Sequence, residues 1–253
     1  MASLIYNSAI DDMAKGAIDF DTDTFKILLV TSSYTADKDT HDKRDDVTNE
    51  VSGTTFTDSS SAARTVSRFG NTEIRTAQSK FGGASGYFDG TGDYLSVSSA
   101  ADLNMGSGDF TIEFWFRWDS SQTVSFPRLL SKGVYGAAGT LEICLNPSNG
   151  NVFAIYGASS VSIGFGGATS SGTWNQFTMS RSGTTLRGFV NGTQGGSSPY
   201  TVSEDFTNST ALLIANSQAS EPFAGYIDEL RITKGVARRT ANFTPATVAF
   251  PDA

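Results

Sequence analysis

Phe110-Thr-Ile-Glu-Phe-Trp-Phe-Arg-Trp118 alternates strictly: Phe110, Ile112, Phe114, Phe116 and Trp118 share one parity, and Thr111, Glu113, Trp115 and Arg117 share the other. Successive side chains of a strand point to opposite faces, so five large apolar residues fall on one side. Such a face has to be covered by a second apolar layer, and a two-sheet sandwich with aromatic area at its centre provides one. Trp115 is the exception in the otherwise polar row. A ring at that parity reads either as a stacking surface for a sugar or as packing against a neighbouring element.

The same pattern of short apolar strands continues on both sides of this segment. Strands are expected at Tyr87 to Phe88, Tyr94 to Val97, Leu141 to Leu145, Val152 to Tyr156, Phe177 to Ser180, Leu186 to Val190 and Ala211 to Ala215. Asn149-Gly150 and Asn191-Gly192 are tight-turn pairs that tolerate positive φ and join neighbouring strands as hairpins. Many short strands, frequent glycine turns and no long helical period predict an all-β, two-sheet antiparallel jelly-roll sandwich.

Near the C-terminal end, Phe223-Ala-Gly-Tyr-Ile-Asp-Glu-Leu-Arg-Ile-Thr233 reads as a further strand. Under strict alternation Tyr226, Asp228, Leu230 and Ile232 share a face, which sets an acid among apolar residues. An acid so placed must be hydrogen-bonded, bound to a metal, or close to water at the sheet end. The preferred role for Asp228 is to accept loop N–H groups, with metal ligation as the alternative.

Residues 1 to 75 follow different rules and are expected to form a small N-terminal α+β or extended docking region, with the sandwich occupying 76 to 253. Phe25-Lys-Ile-Leu-Leu-Val30 is a plausible strand there, and residues 53 to 85 read as a linker or an outer strand pair. Asp19, Asp21 and Asp23, and then Asp37, Asp39 and Asp42, crowd this region without matching a twelve-residue calcium loop. His41 is the single histidine and lacks a second one to help hold zinc. Leu4, Ile5 and Tyr6 are candidates for docking onto a partner's sheet or groove.

Composition narrows the function classes. The 253 residues carry 18 basic and 26 acidic side chains, a formal charge of -8 that disfavours binding along a phosphate backbone. No apolar run approaches the roughly 20 residues needed to cross a bilayer. The first residues lack the basic and apolar regions of a secretory signal, so the Asn-x-Ser/Thr matches at Asn191, Asn208 and Asn242 carry little weight. Cys144, the single cysteine, rules out an intrachain disulfide and reads as a passive, half-buried thiol.

Six stretches in order are similar to the signatures of a laminin-G-like, concanavalin-A-like domain. They are Phe88-Asp-Gly-Thr-Gly-Asp-Tyr-Leu-Ser-Val97, Phe110-Thr-Ile-Glu-Phe-Trp-Phe116, Leu130-Ser-Lys-Gly133, Gly172-Thr-Trp-Asn-Gln-Phe-Thr178, Leu186-Arg-Gly-Phe-Val-Asn-Gly192 and Gly225-Tyr-Ile-Asp-Glu-Leu-Arg-Ile232. The resemblance covers about residues 81 to 245. It implies an ion site at the sandwich rim, for which Asp93 and Asp228 are the conceivable calcium ligands, although neither belongs to a ligand motif. Asp19 to Tyr34, with Thr40-His41 and Asp46 to Glu50, resembles the opening of small tailed-phage virion proteins.

Together the two resemblances imply a phage virion structural protein, a capsid decoration or cement protein displayed on the outer particle surface, often as a homotrimer, with the major capsid protein or another virion protein as partner. The alternative is a glycan-binding adhesin or a tail-associated receptor-binding protein. For that role Trp115, Tyr135 and Tyr156 are the glycan-binding candidates. Glycosidases of this fold carry a Glu-x-Asp-x-x-Glu strand, which is lacking here, so no catalytic residue is expected.

Overall fold

The computed structural model describes residues 56–250. The chain divides into two units, and every described strand lies in the second, Thr55–Ala253. The first strands are β1 (Val66–Phe69), β2 (Glu73–Arg75), β3 (Ser85–Asp89) and β4 (Tyr94–Val97). The middle of the chain supplies β5 (Phe110–Trp118), β6 (Arg128–Lys132), β7 (Leu141–Asn146), β8 (Asn151–Tyr156) and β9 (Val161–Gly164). Then come β10 (Asn175–Ser182), β11 (Thr185–Val190), β12 (Thr193–Gln194), β13 (Tyr200–Thr201), β14 (Leu212–Ile214) and β15 (Ala224–Lys234).

All pairings are antiparallel. A seven-stranded sheet runs β1-β4-β14-β6-β7-β8-β9, and an eight-stranded sheet runs β12-β11-β10-β5-β15-β3-β2 with β13 added to β11. This is the expected all-β, concanavalin-A-like jelly-roll sandwich. Of the α+β or extended docking region expected over residues 1 to 75, residues 1 to 55 lie outside the described residues. Of the two readings given for residues 53 to 85, outer strands fit residues 66 to 75, where β1 pairs with β4 and β2 with β3 at the sheet edges. The sandwich therefore begins before the boundary drawn at 75 and 76.

The core forms where the two inner faces meet. Phe110, Ile112, Phe114, Phe116 and Trp118 from β5 join Phe177 and Met179 from β10, and face Leu130, Ile143, Ala154, Leu212 and Ile214 of the other sheet. Each large apolar side chain taken fully from water contributes roughly 1.5–3 kcal/mol. Edge contacts between Phe114, Phe116, Phe177 and Phe165 give the centre its aromatic character.

β15 departs from strict alternation. Asp228 opposes Trp115 and Arg231 opposes Glu113, so three steps along β15 match two along β5, and Glu229 at φ +55 takes up the extra residue. A bulge of this kind reverses parity partway along a strand. Ile227 opposes Phe116 before it and Ile232 opposes Ile112 after it, both toward the core. Asp228 therefore shares the outward parity of Trp115, and its expected place on the apolar face is corrected. A carboxylate among phenylalanines would have been costly to bury, and the bulge keeps it out of the core.

The two expected turns differ in kind. Asn191 at φ +50 and Gly192 at φ +78 form a two-residue hairpin between β11 and β12. A side chain at Gly192 would also collide with the Phe243 carbonyl at 1.9 Å. Asn149-Gly150 instead closes a four-residue loop between Asn146 and Asn151.

Candidate functional site

The outer face of β7, β8 and β9 carries a surface hollow of about 630 Å³. Its floor is Asn146 of β7, Asn151, Phe153 and Ile155 of β8, and Ser162 and Gly164 of β9. β8 can supply this floor because it is apolar at both parities. Val152 and Ala154 point inward to the core, while Phe153 and Ile155, half-buried, point outward. Loops raise the walls: Phe126 precedes β6, Tyr135 lies between β6 and β7, and Ala219 and Glu221 lie between β14 and β15. Phe126 and Tyr135 are exposed, and the Phe126 ring meets Phe153 edge-on at 5.5 Å and 89°.

One wall is a charge network anchored by Arg128. A register shift in β6 sets Arg128 opposite Cys144, on the outward side of the sheet. Its Nε donates to Glu142 Oε2 at 3.0 Å, Nη1 donates to the Phe126 carbonyl at 2.6 Å, and Nη2 pairs with Glu221 Oε2 at 3.0 Å. Ser131 Oγ donates to Glu142 Oε1 at 3.3 Å and Ser217 Oγ to Glu221 Oε2 at 2.8 Å. Burial works to lower the Arg128 pKa, but the neighbouring acidic groups, the two carboxylates among them, more than offset it, and the guanidinium stays charged. The network holds the Phe126 backbone in place, so one exposed ring of the hollow rests on a buried charge.

Free polar groups complete the surface. The Tyr135 hydroxyl, the Asn151 side-chain amide and the Ser162 hydroxyl make no hydrogen bond among the described residues, and Glu221 Oε1 accepts none there. Aromatic rings beside unpaired amides and hydroxyls make a surface that stacks on apolar ring faces and bonds to hydroxyls. Beneath it, Cys144 is fully buried rather than half-buried, and burial pushes its thiol far above the ordinary range, which keeps it passive.

The residues singled out in the sequence are dispersed. Tyr135 is at the hollow. Trp115 is buried on the opposite sheet, with the Phe81 ring edge-on at 6.0 Å and Lys80 Nζ at 4.0 Å from its centroid, so it offers no ring to a sugar. Tyr156 has inward parity and packs on Phe206 at 6.0 Å, at the edge of the core. Trp174 lies half-buried against Tyr226, with ring centroids 6.4 Å apart. Leu4, Ile5 and Tyr6 lie outside the described residues.

Asp93 and Asp228 do not form one ion site. Asp93 is buried beside the turn after β1 and accepts the Asn71 N–H at 2.7 Å and the Asp89 N–H at 2.9 Å. Gly70 is required beside it, because a Cβ there would lie 2.3 Å from Asp93 Oδ1. Asp228 accepts the Lys80 N–H at 2.7 Å, the Phe81 N–H at 3.2 Å and the Glu229 N–H at 2.9 Å. Asp93 bonds the Asp89 N–H, and Asp89 pairs with Ala224, four residues along β15 from Asp228, so the two acids tie separate stretches of backbone. Burial raises both carboxyls above their ordinary range. Among the described residues no group of three or more His, Cys, Asp or Glu side chains is placed to hold a metal.

Comparison with known proteins addresses the identity of the chain. Among curated proteins no match was found. Solved structures similar in fold include the binding domain of Paraclostridial Mosquitocidal Protein 1, at TM-score 0.55 and 13% identity over 69% of this chain and 45% of that one. A botulinum neurotoxin type C structure aligns at TM-score 0.54 and 12% identity, over 72% of this chain and 46% of that one. Domain 4 of AbnA, a GH43 extracellular arabinanase from Geobacillus stearothermophilus, aligns at TM-score 0.50 and 17% identity, over 69% of this chain and 84% of that one. This chain thus spans less than half the length of the two toxin chains.

These findings overturn the reading of the chain as a phage capsid decoration or cement protein. The structures it resembles are the binding domain of one toxin, a botulinum neurotoxin and an arabinanase domain, and none of the three is a virion protein. The residues that carried the virion resemblance, 19 to 50, lie outside the described residues, whereas the sandwich that is described has a fold shared with those structures. Residues 89–240, more than half of the chain, match the family model of the concanavalin A-like lectin/glucanases superfamily, and the protein belongs to that superfamily.

Proposed function

We propose that the protein is a glycan-binding or receptor-binding module whose site is the hollow on β7, β8 and β9. The observation that carries this reading is the pair of exposed rings, Phe126 and Tyr135, set over a floor of Phe153, Asn146 and Asn151 in a hollow of about 630 Å³. That volume lies within the roughly 300–1,000 Å³ of small-ligand sites, and apolar walls with a few placed polar groups are their usual composition. Support in kind comes from the relatives: the arabinanase domain was solved with arabinotriose, and the botulinum neurotoxin type C structure concerns interaction with two ganglioside molecules.

The module binds without turnover. Glu142 and Glu221, the carboxylates at the hollow, both pair with Arg128, an arrangement that suits a fixed wall better than an acid and a nucleophile working across a glycosidic bond. A glycan array with the full chain, followed by Tyr135→Ala, tests the site. Removing the ring is expected to weaken binding at least tenfold, about 1.4 kcal/mol, with the unfolding midpoint unchanged. Binding that survives both Tyr135→Ala and Phe126→Ala would move the site elsewhere.

A further inference from the structure

We infer that the hollow selects uncharged sugars and excludes glycans bearing sialic acid, uronic acid, sulfate or phosphate; this inference rests on the hollow being the glycan site. Recognition of such an anion needs a cation or converging N–H donors with hydrogen bonds to spare. Among the described residues Arg128 is the only basic side chain lining the hollow. Three of its five N–H groups, one on each nitrogen, face Glu142, the Phe126 carbonyl and Glu221, and the side chain is 3% exposed, which keeps the rest from an outside ligand.

The network cannot open to admit an outside anion. Turning Arg128 outward would leave Glu142, 1% exposed, as an unpaired buried charge and would release the Phe126 backbone. Two carboxylates against one guanidinium also leave this wall with a net negative charge.

What the hollow does offer suits a neutral sugar. Phe126, Tyr135 and Phe153 line the hollow with aromatic surface suited to C–H groups, while Glu221 Oε1, Asn151 and Ser162 suit hydroxyl groups. Glu221 is the discriminating residue, because a carboxylate accepts from a hydroxyl and repels an acid.

The test uses the full chain on an array that pairs each neutral glycan with its sialylated, sulfated and uronic-acid counterparts, followed by titration of the best pair. Neutral glycans are expected to bind at least tenfold more tightly than their acidic counterparts. Their affinity should vary by less than threefold between low and physiological salt, and Glu221→Gln should narrow the gap between the pair. Equal or tighter binding of the acidic member by the unaltered chain overturns the inference while leaving the sugar site intact. Absence of binding to any glycan, or neutral binding unaffected by Tyr135→Ala, overturns the site and the inference together.

Discussion

On the eight-stranded sheet the outward side chains at the middle of β5 and β10 are as buried as the core, with Glu113 and Thr178 at 0%, Gln176 at 1% and Trp115 at 4% exposed. On the seven-stranded sheet Phe126 and Tyr135 stand 45% and 55% exposed beside an open floor. Both faces carry aromatic rings among polar groups. The difference is what lies over them. Lys80 and Phe81 cap Trp115, and the segment after β15 returns across the same sheet. There the Arg238 N–H donates to Thr111 Oγ1 at 2.8 Å, Phe243 packs on Phe189 at 5.5 Å, and Arg231 lies over the Phe250 ring at 4.2 Å. Loops thus act as a third layer on one side of the sandwich. On the other side the loops stand up around a hollow that the described residues leave open.

The covered face carries polar groups that its cover leaves unmatched. Glu113 Oε1 is held by Arg231 Nε at 3.0 Å and Nη2 at 2.7 Å, but Glu113 Oε2, Trp115 Nε1, the Gln176 amide and Thr178 Oγ1 make no hydrogen bond among the described residues. Register places them side by side, since Trp115 opposes Gln176 and Glu113 opposes Thr178. Each such atom costs stability.

Substitutions on the two faces should give opposite results. Trp115→Ala removes a buried ring and is expected to lower unfolding stability by about 3–5 kcal/mol in denaturant titration, with the glycan affinity of the folded fraction unchanged. Tyr135→Ala should do the reverse, losing binding while stability stays within about 0.5 kcal/mol. A Trp115 variant that folds normally but fails to bind would break the division between the faces.

Thr178→Val tests the unmatched groups. Because it replaces an unpartnered buried hydroxyl with a methyl of similar shape, stability should hold or rise by up to about 1 kcal/mol, and a loss larger than that would point to a hydroxyl partner.

The smallest effect concerns pH. Burial raises the Asp228 carboxyl, so the folded state binds that proton more tightly than the unfolded chain does. The associated stability is present below the ordinary aspartate range near pH 4 and is lost as pH rises through the folded value. Unfolding free energies measured from pH 4 to 7 should fall more steeply for the native chain than for Asp228→Asn. Equal slopes would place Asp228 in contact with water.

How much of this was legible depends on the residue. The period of Phe110 to Trp118 survives in the structure because five large side chains on one face leave a single workable orientation. Asp228 was misplaced because alternation counts residues, and one extra residue at Glu229 reverses the count without any mark that periodicity detects. Trp115 was correctly given outward parity, but outward means exposed only where nothing lies above. Among the glycan-binding candidates only Tyr135 reached the hollow, and it was chosen as an aromatic, not by its place in a pattern. The apolar run Val152 to Tyr156 did hold a signal, since apolar residues at both parities mark a strand whose outer face also meets something.

Sequence alone determined the layers: strand-forming alternation, glycine turns and an aromatic inner face permit little other than a two-sheet sandwich, because local backbone period and the need to bury apolar area act over a few residues at a time. Tertiary structure decided the site. Arg128, Glu142 and Glu221 come from three separate segments, and Phe126, Tyr135 and Phe153 from two loops and a strand. Their meeting, like the covering of Trp115, is set by how loops cross the sheets, a long-range outcome of packing that no short-range period encodes.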